Sequence, residues 1–204
     1  MEGVYFAKTG KLLSFSEQQL IDCDIHDHYA GVYKHNNGCK GGDHGLALIY
    51  LFDDASLTLE DVYPYTSGAT GDDSTECLYS VSKATNIKNG GNYEIDNDNI
   101  KIKTRIQQGP IATTITANNK YIHSYVSGVI DAEDCIENTD NPFEGLNPIN
   151  HVVTIVGYGT DEATGLDYWL VKNSWSATWG DKGYVKIHME DSYWGVCGIK
   201  SNTE

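Results

Sequence analysis

The sequence predicts an α+β fold in two lobes, a helical lobe over residues 1–92 and a β-rich lobe over residues 93–204. Three observations predict it. Capping signals and apolar residues at helical spacing crowd the first half. β-branched and aromatic runs bounded by Gly, Asp or Asn fill the second. No internal repeat links the halves, and 204 residues can bury a real core as one domain or two small lobes.

Taken in order, Glu2 to Lys8 reads as the tail of a helix stopped at Gly10, a residue that accepts the left-handed conformation. Ser16-Glu17-Gln18-Gln19 is a capping box ahead of Leu20-Ile21 and predicts a short helix there. His44 to Phe52 predicts a third, with Leu46, Ile49 and Tyr50 on one face. Asn99 to Gln108 predicts a fourth, ended by Gly109-Pro110. Strands are expected at Ile111 to Ala117, Val152 to Tyr158, Tyr168 to Lys172 and Tyr184 to His188. Cys23 to Cys39 and Cys135 to His151 are rich in Asn, Asp, Gly and His and read as surface loops.

A formal charge of −15 argues against nucleic acid or an anionic membrane as a partner. No apolar stretch reaches the ~20 residues of a membrane span. The opening Met1-Glu2-Gly3-Val4-Tyr5-Phe6-Ala7-Lys8 lacks the basic and apolar regions of a signal peptide. The five cysteines, Cys23, Cys39, Cys77, Cys135 and Cys197, are scattered without a Cys-x-x-Cys pair, which reads better as disulfides made in an oxidising compartment than as a zinc site. Five is odd, so one cysteine lacks an internal partner.

Chemistry concentrates near residues 150–175. His151 opens the apolar run Val152-Val153-Thr154-Ile155-Val156, and Asn173 closes Tyr168-Trp169-Leu170-Val171-Lys172. Strands of that kind can hold an imidazole nitrogen against a side-chain amide oxygen, which orients the ring without adding charge. A base with such an orienter normally serves a cysteine nucleophile. A lone buried histidine is more often structural, and it is Asn173-Ser174-Trp175 downstream that favours the chemical reading.

These blocks closely resemble the papain-like cysteine peptidases. His151-Val152-Val153 with Val156-Gly157-Tyr158-Gly159, and Lys172-Asn173-Ser174-Trp175 with Trp179-Gly180 and Gly183-Tyr184, carry the resemblance. Ser16 to Asp24, Gly38-Cys39-Lys40-Gly41-Gly42, Tyr63-Pro64-Tyr65, Gln108-Gly109-Pro110-Ile111 and Gly195-Val196-Cys197-Gly198 occur in the family's order. The resemblance implies a papain-like fold, a helical lobe beside an antiparallel β-barrel-like lobe, with no cofactor. It implies His151 as the catalytic base, Asn173 as its orienter and Trp175 as a shield over their hydrogen bond. Gly41 and Gly42 would pair with an extended peptide. Asp43, His44, Thr114, Ile149, Val152 and Asn202 would line its main side-chain pocket, with Asn150 a further substrate-binding residue. With Asp43 and His44 at positions that are usually apolar in the family, acceptance of Arg or Lys is expected.

The resemblance further implies disulfides Cys23–Cys77 and Cys135–Cys197 and an unpaired Cys39. The family carries its nucleophile and an oxyanion-hole Gln in a Gln…Cys-Gly-Ser-Cys-Trp segment preceding Glu-Gly. Because Glu2-Gly3 opens this chain, both are expected upstream of residue 1, as is the family's partner for Cys39. Cys23 has a family-like spacing from His151 but sits in Leu-Ile-Asp-Cys-Asp without a following Trp, and is rejected as nucleophile. The implied partners are a peptide or protein substrate and a propeptide or cystatin-like inhibitor, in a lysosomal, vacuolar or secreted setting. The competing expectation is an inactive homologue that binds peptides or regulates.

Other constellations have plainer readings. His26, His28, His35 and His44 with Cys23 and Cys39 match no tight metal-ligand spacing, so no metal is expected. The glycines of Gly38 to Gly45 lack the Lys-Ser/Thr of a phosphate loop. Trp169, Trp175, Trp179 and Trp194 are expected mostly in the core rather than on a carbohydrate platform.

Overall fold

Local capping decides where the helices of the first half begin and end. In the computed structural model α1 spans Glu2–Thr9 and stops at Gly10, whose φ of 70° lets its N–H reach back to the carbonyl of Phe6. Helix α2 spans Glu17–Cys23, and the Ser16 hydroxyl accepts the Gln19 N–H. The reciprocal half of the predicted capping box does not form. The buried Gln19 side chain turns to another segment instead, donating to the Ser56 carbonyl and accepting from the Thr58 N–H, while the Ser16 N–H is taken by the Thr58 carbonyl. A 3-10 turn, Gly38–Lys40, leads to α3, His44–Asp53, and α4 is the short Ser67–Thr70. On α3 Tyr50 and Leu51 are buried, whereas the predicted Leu46 and Ile49 are only partly covered.

The structure describes residues 1–25, 36–53, 55–71, 76–87, 95–135, 149–201 and 203. It divides into two units, Met1–Tyr93 and Glu94–Glu204. Among the described residues the core of the first is small: Phe15, Cys23, Tyr50, Leu51, Ala55, Leu57 and Tyr63. A disulfide, Cys23–Cys77, ties the end of α2 to the strand-less segment beyond α4.

The second unit opens with α5, Asn99–Ile106, capped by the Asp98 carboxylate, which accepts the N–H groups of Ile100 and Lys101. It ends two residues before the predicted Gln108, where the chain tightens into a turn through Gln108 N–H to Arg105 O and Gly109 N–H to Ile106 O. The remaining elements are β1 Ile111–Ile115, α6 Lys120–His123, β2 Val129–Ile130, α7 Ala132–Cys135, β3 His151–Thr160, β4 Asp167–Lys172 and β5 Tyr184–His188. Strand β1 stops before Ala117 because the next N–H groups leave the ladder: Thr116 donates to Cys197 O and Ala117 to the Asn150 side chain.

The strands form one sheet in the order β1-β3-β4-β5-β2. The expected antiparallel barrel-like closure is not what forms among the described residues. The sheet is open and mixed, because the two-residue β2 pairs with β5 alone and runs parallel to it. One face is packed with β-branched residues. Ile102, Ile111, Ile115, Ile122, Ile155, Val171, Val185, Ile187 and Ile199 surround the fully buried Trp169. A second disulfide, Cys135–Cys197, joins α7 to the 3-10 turn Val196–Gly198.

Candidate active site

Antiparallel pairing brings the two residues singled out near 150–175 together. Lys172, the last residue of β4, lies opposite Thr154 of β3, so the chain leaving β4 runs past the start of β3. His151 is that start, held in register opposite Ile115 of β1. Asn173 follows Lys172 and is anchored by its own N–H to the Gly183 carbonyl. The outcome is a 2.7 Å hydrogen bond between His151 Nε2 and Asn173 Oδ1.

Its polarity can be deduced. Asn173 Oδ1 also faces the Ser174 backbone N–H at 2.7 Å, a group that can only donate. The oxygen is therefore the acceptor towards both neighbours, which places the ring hydrogen on Nε2. In the neutral ring Nδ1 then holds the free lone pair. Asn173 is buried, and its Nδ2 has no partner among the described residues.

An aromatic cluster packs around the pair. The Trp175 indole lies 4.9 Å from the His151 ring, tilted by 34°, and Trp179 meets Trp175 edge-on at 5.3 Å. Both tryptophans are partly buried against the sheet core. The loop that carries them turns through Ser176 at a φ of 72° and Gly180 at 59°, where a Cβ would come within 2.6 Å of the Tyr184 carbonyl. Of the four tryptophans, Trp169 is in the core as expected, but Trp194 is 47% exposed.

The other predicted site residues fall on both units. In the second, Thr114 and Val152 are cross-strand partners on β1 and β3. Thr114 is buried with an unpartnered hydroxyl among the described residues, and Val152 and Ile149 are exposed. Asn150 is fastened by accepting the Ala117 N–H and donating its own N–H to Ile115 O. Asn202 lies outside the described residues.

In the first unit, Asn36 brackets the glycine loop by accepting the Asp43 N–H and donating to Asp43 O and the Asp24 carboxylate. A Cβ on Gly42 would overlap Asn36, and Gly41 sits at a φ of 113°, so both glycines have local structural causes. Asp43 Oδ1 is engaged as the cap of α3, accepting the N–H groups of Gly45 and Leu46, a role that its position directly before a helix could have revealed. His44, half-buried, is the first residue of α3. Cys39 is a free, exposed thiol on the 3-10 turn.

Two features went unseen in the sequence. His123, ending α6, stacks on Trp175 with ring centroids 5.0 Å apart and planes 11° off parallel. His188 Nδ1 lies 2.9 Å from Asp131, whose carboxyl is held below its usual range by that bond and by the Ala132 N–H. Neither histidine sits in a motif, so only geometry finds them. Among the described residues no His/Cys/Asp/Glu group could hold a metal, and no helix is long and apolar enough to cross a membrane. His26, His28 and His35 lie outside the described residues.

Comparison with known proteins places the chain in a family. The family model for papain family cysteine proteases matches residues 1–204. Cathepsin L of Sarcophaga peregrina is 37% identical over 199 residues, covering 98% of this chain and 52% of its own length. A cathepsin L-like peptidase of Aedes aegypti is 39% identical over 205 residues, covering 98% and 53%. This chain thus spans about half the length of the curated relatives it matches. Among solved structures, the proform of the ragweed pollen cysteine protease Amb a 11 matches with a TM-score of 0.76 at 32% identity, over 99% of this chain and 55% of that one. Bromelain from Ananas comosus, in complex with the E64 inhibitor, matches with a TM-score of 0.76 at 28% identity, over 99% and 81%. By sequence and by fold, the chain belongs to the papain family of cysteine proteases.

Proposed function

We propose that this chain supplies the base side of a peptide-bond hydrolase, with His151 as general base, Asn173 as its orienter and Trp175 as the shield over their bond. The observation that supports it most is the double acceptor role of Asn173 Oδ1, which leaves the lone pair on His151 Nδ1. Nδ1 takes the proton of a cysteine thiol, and the thiolate sulfur attacks the peptide carbonyl. As the C–N bond breaks, Nδ1–H passes that proton to the leaving amine. Nδ1 then deprotonates a water that hydrolyses the thioester and frees the thiol. Thr114, Ile149, Asn150, Val152 and Asn202 in the second unit, and Gly41, Gly42, Asp43 and His44 in the first, are the proposed substrate contacts. Asp43 can meet a Lys or Arg side chain only through Oδ2, since Oδ1 caps α3.

The nucleophile in this reading is a cysteine outside the 204 residues. Cys23, Cys77, Cys135 and Cys197 are held in disulfides, and Cys39 matches a family disulfide half rather than the nucleophile. The second reading is a chain that binds peptides or regulates without hydrolysing, and the retained His151, Asn173 and Trp175 cluster favours the first. The two disulfides support an oxidising setting, lysosomal, vacuolar or secreted. A peptide or protein substrate is the first partner. A propeptide is another, since the Amb a 11 structure is a proform, and a cystatin-like inhibitor is a third.

The test is to read the message upstream of Met1 and to assay the chain with and without any in-frame upstream segment. An upstream Cys-Gly-Ser-Cys-Trp with activity that falls about a thousandfold in His151→Ala supports the peptidase. Unchanged turnover in His151→Ala would sink it. No upstream coding sequence, with peptide binding and no hydrolysis, leaves the second reading standing.

A further inference from the structure

The rings beside His151 include a second imidazole that the bond to Asn173 does not use. His123 is exposed at the end of α6, yet its place is closely defined. A four-residue helix has no stability of its own, so tertiary contacts must hold it. Asn119 caps it by accepting the Ile122 N–H and donates to Thr116 O, and Ile122 is fully buried. At its other end the Trp179 indole N–H donates to both the Ile122 and the His123 carbonyl, at 3.1 and 3.2 Å. The same residue that receives Trp179 through its backbone therefore lays its ring on Trp175.

Trp175 is only partly buried, on a loop whose next residue has a positive φ, so side-chain packing sets the angle of the indole. The edge-on Trp179 limits its approach, and the near-parallel His123 ring fixes its tilt. An imidazole can stack on an indole as a neutral ring or as a cation, so the contact survives a change of charge.

We propose that His123 is a positioning residue: it holds the Trp175 indole against the His151 ring and so sets how readily water reaches the His151–Asn173 hydrogen bond. The proposal rests on the reading of His151 and Asn173 given above. It adds a residue outside that pair, on a separate helix, that acts on the base only through an aromatic neighbour.

The experiment follows the His151 Nε2–H proton by NMR in the uniformly labelled whole chain, which requires no turnover. In the wild type this proton is expected to be bonded to Asn173 and slow to exchange with water. His123→Ala should speed its exchange by about three- to tenfold, the span that the coupling energy of one aromatic pair allows. His123→Phe, which keeps a stacking ring, should return it to within about twofold of wild type on the same scale. An unchanged exchange rate in His123→Ala, or no recovery in His123→Phe, overturns the proposal. A wild-type ring with no bonded Nε2–H would instead overturn the reading beneath it, so the two failures are told apart.

Discussion

The two units solve the same problem with different materials. The second packs a sheet face of Ile and Val around Trp169, with at least ten large apolar side chains almost wholly buried. Among the described residues the first buries seven apolar residues in its core cluster and fills the space beside them with polar groups. Gln18 alone accepts from the N–H groups of Thr66 and Ser67 and donates to Asp22 and to the Ser67 hydroxyl. Non-directional apolar burial tolerates small displacements, whereas a buried polar lattice keeps its value only when every bond is made. The histidine–asparagine pair stands on the apolar unit, at strand ends whose register is set by paired neighbours.

The largest expected effect tests that contrast directly. Trp169→Ala should cost the second unit about 4 kcal/mol, by lost transfer energy and the cavity left behind. Chemical denaturation followed by unit-resolved hydrogen exchange would check it. A loss below about 1 kcal/mol would mean that the sheet face is not what holds this unit.

The disulfides sharpen the comparison, because their loops are nearly equal, 54 and 62 residues. Constraint of the unfolded chain is then worth nearly the same for each, about 3 kcal/mol by measured precedent. The consequences should differ. On reduction the first unit, with its smaller core, should lose exchange protection while the second keeps most of its own. Equal loss in both would break the contrast.

How far the sequence was legible follows the same divide. The alternating strand Tyr184–His188 has the bounds its pattern predicts, since alternation there reports burial, whereas β3 runs past its predicted Val152–Tyr158 at both ends. Gly10 and Ser16 announced helix ends because their chemistry is local. The closure of the sheet was not legible: the two residues of β2 are too few for any pattern, yet they decide that it stays open. Gln19 was legible as a capping partner but is drawn away by Thr58, a competitor far along the chain. In the site, His151 and Asn173 carried motif context, while His123 acquires its place only through a fold that brings α6 to Trp175.

A smaller effect is expected where the polar lattice meets the core. The Tyr63 hydroxyl donates to Asp22 at 2.7 Å and accepts the Leu78 N–H. Burial first, and then Asp22, push the phenol up to about 12. Because the folded value lies above the unfolded one, the stabilisation is complete below about pH 10 and lost as pH rises towards 12. Tyr63→Phe should cost about 1.5 kcal/mol at neutral pH and flatten that alkaline loss. Melting curves of both proteins between neutral and alkaline pH would show it, and parallel curves would remove Tyr63 as the cause.

The smallest effect asks what one ion pair contributes to the apolar unit. Asp131 sits just ahead of α7, the helix that ends at the disulfide cysteine Cys135, and pairs with His188 on β5. Its carboxyl is held low by His188 first and by the Ala132 N–H second, so the folded value lies below the unfolded one. The contribution is therefore present above the unfolded value near pH 4 and disappears as pH falls through the folded value. Asp131→Asn keeps an acceptor for the Ala132 N–H and removes the charge. With the carboxylate about half exposed, screening limits the loss to about 0.5 kcal/mol at neutral pH. Thermal melts of the two proteins should converge as the pH is lowered. A gap that persists in acid would instead assign the loss to the cap of α7, and the Asp131–His188 pair would then add nothing beyond the ion pair that Lys186 makes with Asp161 in the same unit.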